Sequence, residues 1–179
     1  MRATIAEMLG ITDAWAVVDQ VHGSDVVTAD RPGNLGPADA IITRTSGLPL
    51  AIGTADCVPV VFVGSEQVGI AHAGWRGVVA GVVDATMASM DAPPDTVVIG
   101  PHIGRCCYEV GADVVDQLGG FEGTTSWNTT SVDLAAAIRA QVPASVEVVE
   151  IGPCTMCDPS YASFRRDATA ERQVAVVWR

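Results

Sequence analysis

Between Asp13 and about Ala71 the chain sets short segments rich in valine and isoleucine between turn-forming clusters, and this succession commits its first half to β-sheet. The segments are Ala14–Val18, Asp25–Ala29, Ala40–Thr43, Leu50–Gly53, Val58–Val63 and Val68–Ala71, with Arg31-Pro32-Gly33-Asn34 and Thr45-Ser46-Gly47 among the turns. β-Branched side chains fit a pleated surface, while glycine and proline end the runs. Val58–Val63 has little polar alternation, which predicts a strand covered on both faces.

Beyond this region the pattern becomes mixed. Arg76 to Met90 carries Val78, Val79, Val82, Val83, Ala85, Thr86 and Met90 at a spacing closer to helix than to strand. The turn Gly74-Trp75-Arg76-Gly77 therefore sits at a predicted helix N-terminus, where free N–H groups can receive an anion. Thr96–Ile99, Val146–Val149 and Gln173–Trp178 read as strands, and Ala112–Leu118 and Val132–Gln141 as helices, the second opened by Ser131 as N-cap. Gly119–Trp127 reads as a loop, and Cys154–Asp167 separates the last two strands. Arg165 and Arg166, if in a strand, would face opposite ways. With no internal repeat or linker, the economical expectation is one mixed α and β domain over residues 1–179.

Composition narrows the function. A chain of 179 residues that is 49% hydrophobic can bury a real core. The net charge of −11, with ten arginines and no lysine, opposes a nucleic-acid groove or an anionic membrane surface. A small substrate fits better, and an anionic group on it would need a local arginine cluster, for which Arg76, Arg165 and Arg166 are the candidates. No apolar run approaches the roughly 20 residues of a membrane span and no secretion signal opens the chain, so a cytoplasmic protein is expected. Five cysteines without an export signal suggest thiols kept for metal or chemistry.

Side chains of metal-binding or nucleophilic type stand at the predicted strand ends. His22 lies in Gln20-Val21-His22-Gly23, Cys57 in Thr54-Ala55-Asp56-Cys57-Val58-Pro59, and His72 in Ala71-His72-Ala73-Gly74-Trp75-Arg76-Gly77. Strand ends gather at one sheet edge, the layout of a site. Two imidazoles and a thiolate are a ligand set for catalytic zinc, which keeps a fourth position open. Separations of 35 and 15 residues make this a site assembled from distant segments rather than a zinc-finger loop. The same residues also permit a metal-free site in which Cys57 is a nucleophile activated by His72 or His22, with Asp56 orienting the base and Gly74–Gly77 serving as oxyanion hole. The residues leave both readings open.

Cys154-Thr155-Met156-Cys157 has the spacing of half a zinc ribbon, but Cys106-Cys107 is an adjacent pair without that spacing, which argues against a four-thiolate zinc. Glu109 reads as a structural carboxylate, and His102 is compatible with ligand, supporting or surface roles.

Six motifs occur in a telling order: Gln20–Gly23, Ala38-Asp39-Ala40, Thr54–Pro59, His72–Gly77, Ile99-Gly100-Pro101 with Cys107-Tyr108-Glu109-Val110, and Phe164-Arg165-Arg166-Asp167. From about residue 14 to the C-terminus the chain thereby resembles the polyphenol oxidase or laccase-domain family, now understood as purine nucleoside phosphorylases. The resemblance implies that His22, Cys57 and His72 form a zinc site. It implies phosphorolysis of adenosine, inosine, guanosine or methylthioadenosine to a free base and ribose 1-phosphate, with adenosine deamination as a related activity. It also implies an α+β fold of mixed β-sheets layered with outer helices, similar to that of a group of cysteine-hydrolase-like proteins. Some bacterial relatives are described as peptidoglycan-editing factors. The family usually has a longer N-terminal region than the 21 residues ahead of His22, and His102 stands where it often has cysteine. A multicopper oxidase is rejected on physical grounds, because its copper sites take many imidazoles and this chain has three histidines.

The leading expectation is a zinc-dependent purine nucleoside phosphorylase. In it Arg76, with the Gly74 turn, takes the phosphate, and Asp56 orients a ligand imidazole or acts as acid and base. The rivals are a cysteine hydrolase or amidase acting on peptidoglycan precursors, and a non-catalytic nucleoside-binding module.

Overall fold

The structure, a computed structural model, describes residues 2–179. In chain order they form α1 (Arg2–Leu9), β1 (Ala16–Asp19), β2 (Val26–Thr28), β3 (Gly33–Pro37), β4 (Ala40–Thr43), β5 (Leu50–Thr54), β6 (Val58–Val63), β7 (Val68–Ala73), α2 (Trp75–Val79), α3 (Val82–Ser89) and β8 (Thr96–Ile99). There follow α4 (Ala112–Leu118), β9 (Glu122–Thr124), β10 (Thr130–Val132), α5 (Leu134–Gln141), β11 (Glu147–Glu150), α6 (Phe164–Asp167) and β12 (Gln173–Val177). A six-stranded sheet runs β11-β8-β6-β7-β4-β2, a four-stranded sheet runs β12-β5-β1-β3, and β9 pairs with β10 alone. Both larger sheets mix parallel and antiparallel neighbours, so the fold is α+β with mixed sheets, as expected from the sequence.

The layers follow from strand alternation. In the six-stranded sheet Ala40, Ile42, Val60, Phe62 and Ala71 turn toward the helices, meeting Val78, Val82, Val83 and Ile138 in one core. The alternate residues Ile41, Val68 and Ile70 turn the other way and pack against Ala16, Leu50, Ile52 and Val177 of the four-stranded sheet. The far face of that sheet buries Ala51 with Trp15 and Ala6, the last from α1, an element ahead of the first predicted strand. Helices, sheet, sheet and helix thus stack in sequence. Phe62 is fully buried, and truncating it to alanine would cost about 3–5 kcal/mol.

Some local expectations are corrected. The single helix over Arg76–Met90 is two helices, broken where Gly81 takes a left-handed conformation at φ 81°. Ser131 is not an N-cap: it lies in β10, and Asp133 caps α5 by accepting the Ala136 N–H at 2.9 Å. Arg165 and Arg166 are in the short helix α6 rather than in a strand. The Gly119–Trp127 loop contains β9, and Gly33-Asn34, read as turn, begins β3. Among the described residues no helix is long and apolar enough to cross a membrane.

Candidate metal centre and active-site cavity

The pairing of β6 with β7 sets Val58 opposite Ala73 and Pro59 opposite His72, which brings Cys57 beside Gly74. Ala71 and Ala73 point into the helix-side core, so His72 between them points to the face between the two sheets. The loop after β1 carries His22 to the same place. The ligand atoms of His22, Cys57 and His72 lie within 4.8 Å of one another, and the two imidazole rings meet edge to face at 4.7 Å. Gly74 makes room for this meeting. A Cβ there would stand 3.1 Å from Cys57 Sγ and 3.1 Å from His22 Cδ2.

The orienting carboxylate is Asp39, not Asp56. The pairing of β4 with β7 sets Ala40 opposite Ala71, so Asp39 arrives next to His72. His72 Nδ1 donates to Asp39 Oδ1 at 2.8 Å, leaving Nε2 free. Burial holds His72 below the usual imidazole range, although the Asp39 hydrogen bond pulls the other way, and the ring is therefore neutral, the form that binds metal. The fully buried Asp39 carboxylate also accepts the N–H groups of Val21, His22 and Gly23 at 3.2, 3.0 and 2.6 Å. These bonds hold His22 at φ 62°, a left-handed conformation unusual for a non-glycine residue. A buried carboxylate that turns a histidine ring is the usual support of a metal ligand. The sequence signal for Asp39 is an acid set between alanines immediately before the apolar run of β4.

Asp56 is used differently. It stands at φ 84°, and its carboxylate accepts the Thr155 hydroxyl and the Arg165 backbone N–H, each at 2.7 Å. Asp56 thereby ties the end of β5 to the segment before β12. Burial, with Asp56 adding to it, pushes the Cys57 thiol up to about 11.

A cavity of about 610 Å³ opens over the histidines and Cys57, of a size suited to a small organic ligand. Its wall carries Arg76, Arg165 and Arg172, together with Trp75, Tyr108 and Phe164. Arg76 lies over the Trp75 ring at 4.3 Å, and Arg165 near the Tyr108 ring at 5.3 Å while donating to the Glu109 carbonyl at 2.7 Å. Arg172 was not among the sequence candidates. It lies just ahead of β12, and only the pairing of β12 with β5 brings it over Gly53. Arg166 does not line the cavity: its guanidinium donates to the carbonyls of Thr155, Met156, Asp158 and Tyr161 and clips that loop together. The Glu109 carboxylate, read from the sequence as structural, accepts the Trp127 indole N–H at 2.8 Å.

The argument against four converging thiols is overturned. Cys106, Cys107, Cys154 and Cys157 bring their sulfurs within 4.8 Å of one another, because residues 105–107 form a turn in which adjacent side chains can point the same way. Both this group and the His22–Cys57–His72 group can hold a metal ion. His102 belongs to neither; its Nδ1 bonds the Gly100 carbonyl at 2.8 Å, and its backbone bridges to Cys154.

The sequence profile of the family described as "multi-copper polyphenol oxidoreductase laccase" matches residues 1–179. Purine nucleoside phosphorylase ORF3 of Streptomyces griseus is 37% identical over 99% of this chain and 79% of its own length. Purine nucleoside phosphorylase Rv2149c of Mycobacterium tuberculosis is 38% identical over 99% of this chain and 77% of its own. The crystal structure of YlmD from Geobacillus stearothermophilus superposes with a TM-score of 0.88 at 33% identity, covering 99% of this chain and 78% of that one. The chain belongs to the laccase-like polyphenol oxidoreductase family, several of whose members carry the name purine nucleoside phosphorylase.

Proposed function

We propose that this protein is a zinc-dependent purine nucleoside phosphorylase. The observation that carries the reading is the company of His22, Cys57 and His72 in one cavity with the side chains of Arg76, Arg165 and Arg172. In a chain of net charge −11, a cavity with this arginine wall selects an anion. The names of the relatives support the same substrate class.

The donor set suits zinc: the three ligand atoms are close enough for one ion, and one imidazole is already turned by a carboxylate. A zinc ion bound there supplies a positive, Lewis-acidic centre with one open position.

The rest falls to the chain. In phosphorolysis a phosphate oxygen bonds to ribose C1′ as the bond from C1′ to the purine nitrogen breaks. The electron pair leaves with the purine, which takes up a proton, and the products are free base and ribose 1-phosphate. Positive charge develops on the ribose, so the main tasks are to hold phosphate against the sugar and to stabilise the departing base. Arg76, beside Gly74, and Arg172 bind the phosphate. Arg165 is held by Asp56 through its backbone, which makes Asp56 a positioning residue for that wall. Burial raises the Tyr108 phenol to about 12, so its hydroxyl stays protonated and can donate to the substrate. Phe164, more than half exposed on the wall, offers a flat apolar face to a purine ring.

Burial pushes the Cys57 thiol up in the absence of a cation, and a bound zinc ion would supply the positive charge that favours its thiolate. The deciding experiment incubates purified protein with inosine and with adenosine, each with and without phosphate, and separates the products. Free base with ribose 1-phosphate, formed only with phosphate, is expected. Base release independent of phosphate, inosine as sole product from adenosine, or no turnover would overturn the phosphorylase reading.

A further inference from the structure

We propose that Cys106, Cys107, Cys154 and Cys157 hold a second, structural zinc ion, separate from the His22–Cys57–His72 centre and independent of the phosphorylase reading. The sulfurs of Cys106 and Cys107 are 3.6 Å apart, those of Cys106 and Cys157 3.7 Å, and those of Cys107 and Cys157 3.3 Å. A tetrahedral zinc with Zn–S of about 2.3 Å places its sulfurs about 3.8 Å from one another. The four thiols are thus already arranged around one ion, and all four stay within 4.8 Å. An iron–sulfur cluster has its inorganic core between the thiolates and keeps them farther apart, so the spacing selects a single ion. Thiols are weak hydrogen-bond donors and acceptors, and gathering four of them gains little unless a cation holds them together.

The surroundings fit a closed structural site. The Gly104 N–H points at Cys154 Sγ from 3.1 Å, the kind of backbone donor that supports a metal-bound thiolate. A Cβ on Gly104 would come within 3.3 Å of Cys106 Sγ and of Cys154 Cβ, so the turn packs directly onto the sulfurs. Four protein sulfurs leave no open position, which assigns structure rather than catalysis.

The location shows what the ion secures. Cys106 and Cys107 belong to the segment carrying Ile103 and Tyr108, and Cys154 and Cys157 to the segment carrying Phe164 and Arg165, all four of which line the cavity. Besides the Gly104 N–H to Cys154 Sγ, the segments meet there through the bridge of His102 with Cys154, the Thr155 N–H to the His102 carbonyl at 2.9 Å, and Arg165, which reaches the Glu109 carbonyl and the Tyr108 ring. A zinc ion across them fixes one wall of the cavity from behind.

The test is metal content of protein made without a histidine tag. Wild type is expected to bind about two zinc ions per chain. The His22→Ala/His72→Ala variant is expected to keep about one, and its cobalt-substituted form to show the intense visible absorption and sulfur-to-metal charge transfer of a tetrahedral tetrathiolate. Cys154→Ser/Cys157→Ser is expected to lose that signature while retaining the histidine-bound ion. If the serine variant does not fold, the histidine variant alone decides. No zinc in that variant, iron in its place, or an intact mass short by two hydrogens that reports a disulfide, would each overturn the proposal. Failure of the nucleoside assay would leave these readings untouched.

Discussion

His72 and Asp39 are joined by a hydrogen bond of 2.8 Å between fully or almost fully buried side chains, and the same carboxylate accepts the backbone N–H of His22. One buried acid therefore sets the ring of one candidate ligand and the backbone of another. Asp39→Asn preserves the shape but places an amide donor against N–H groups, so zinc affinity at this centre is expected to fall about 10–100-fold. Competition against a chelating dye measures it, and unchanged affinity would remove Asp39 from the metal's support.

Gly74 offers a steric test of the same centre. With a Cβ at 3.1 Å from both Cys57 Sγ and His22 Cδ2, Gly74→Ala must push the two ligands apart. The variant is expected to fold with little change in secondary structure and to lose zinc from the histidine centre together with turnover. Full zinc occupancy in Gly74→Ala would show that these ligands do not close around an ion.

The arginines separate binding from metal chemistry. Arg76→Ala and Arg172→Ala remove charged donors from the cavity wall, each worth about 1.5–3 kcal/mol to a bound anion. The expected result is a rise in the KM for phosphate of about tenfold or more with zinc content unchanged, whereas Cys57→Ala loses the zinc of the histidine centre together with activity. An unaltered KM in both arginine variants would place the phosphate elsewhere.

Asp56 and Thr155 test the tie across the cavity. Thr155→Val deletes a buried hydroxyl that donates to Asp56 at 2.7 Å, which is expected to cost about 1–3 kcal/mol of stability by denaturant titration. Because the Asp56 carboxylate also receives the Arg165 N–H, the variant should lower turnover without releasing the histidine-bound zinc. If stability is unaffected, the bond is not holding the loop.

Chelation provides a check on the metal as a whole. Prolonged dialysis against a strong chelator is expected to abolish phosphorolysis, and about two equivalents of added zinc, one for each ligand group, to restore it after the thiols have been kept reduced. Activity that survives complete removal of metal, followed by elemental analysis, would contradict the zinc-dependent reading.

Short-range physics explains which elements were readable in advance. β4, β6, β8 and α4 occupy the residues that their apolar runs and flanking turns indicate, since each is decided by alternation or helical spacing within its own segment. Ser131 and Asp133 mark the limit: both residue types suit an N-cap, and only the pairing of β10 with β9 decides that Ser131 belongs to a strand. The break at Gly81 depends likewise on how α2 and α3 pack on the sheet.

What the sequence by itself determined was the class of the molecule and its chemical endowment: a valine-rich α+β domain, acidic overall, with two histidines and a cysteine at strand ends in motifs of a known family. Only the tertiary structure decided their support. Asp39 meets His72 through the register of β4 against β7, Arg172 reaches the cavity through the pairing of β12 with β5, and the adjacent pair Cys106-Cys107 meets Cys154 and Cys157 from about fifty residues away. Residue type and local spacing are written in the chain, but which distant side chains become neighbours depends on strand register and layer packing, and those are settled by the whole core at once.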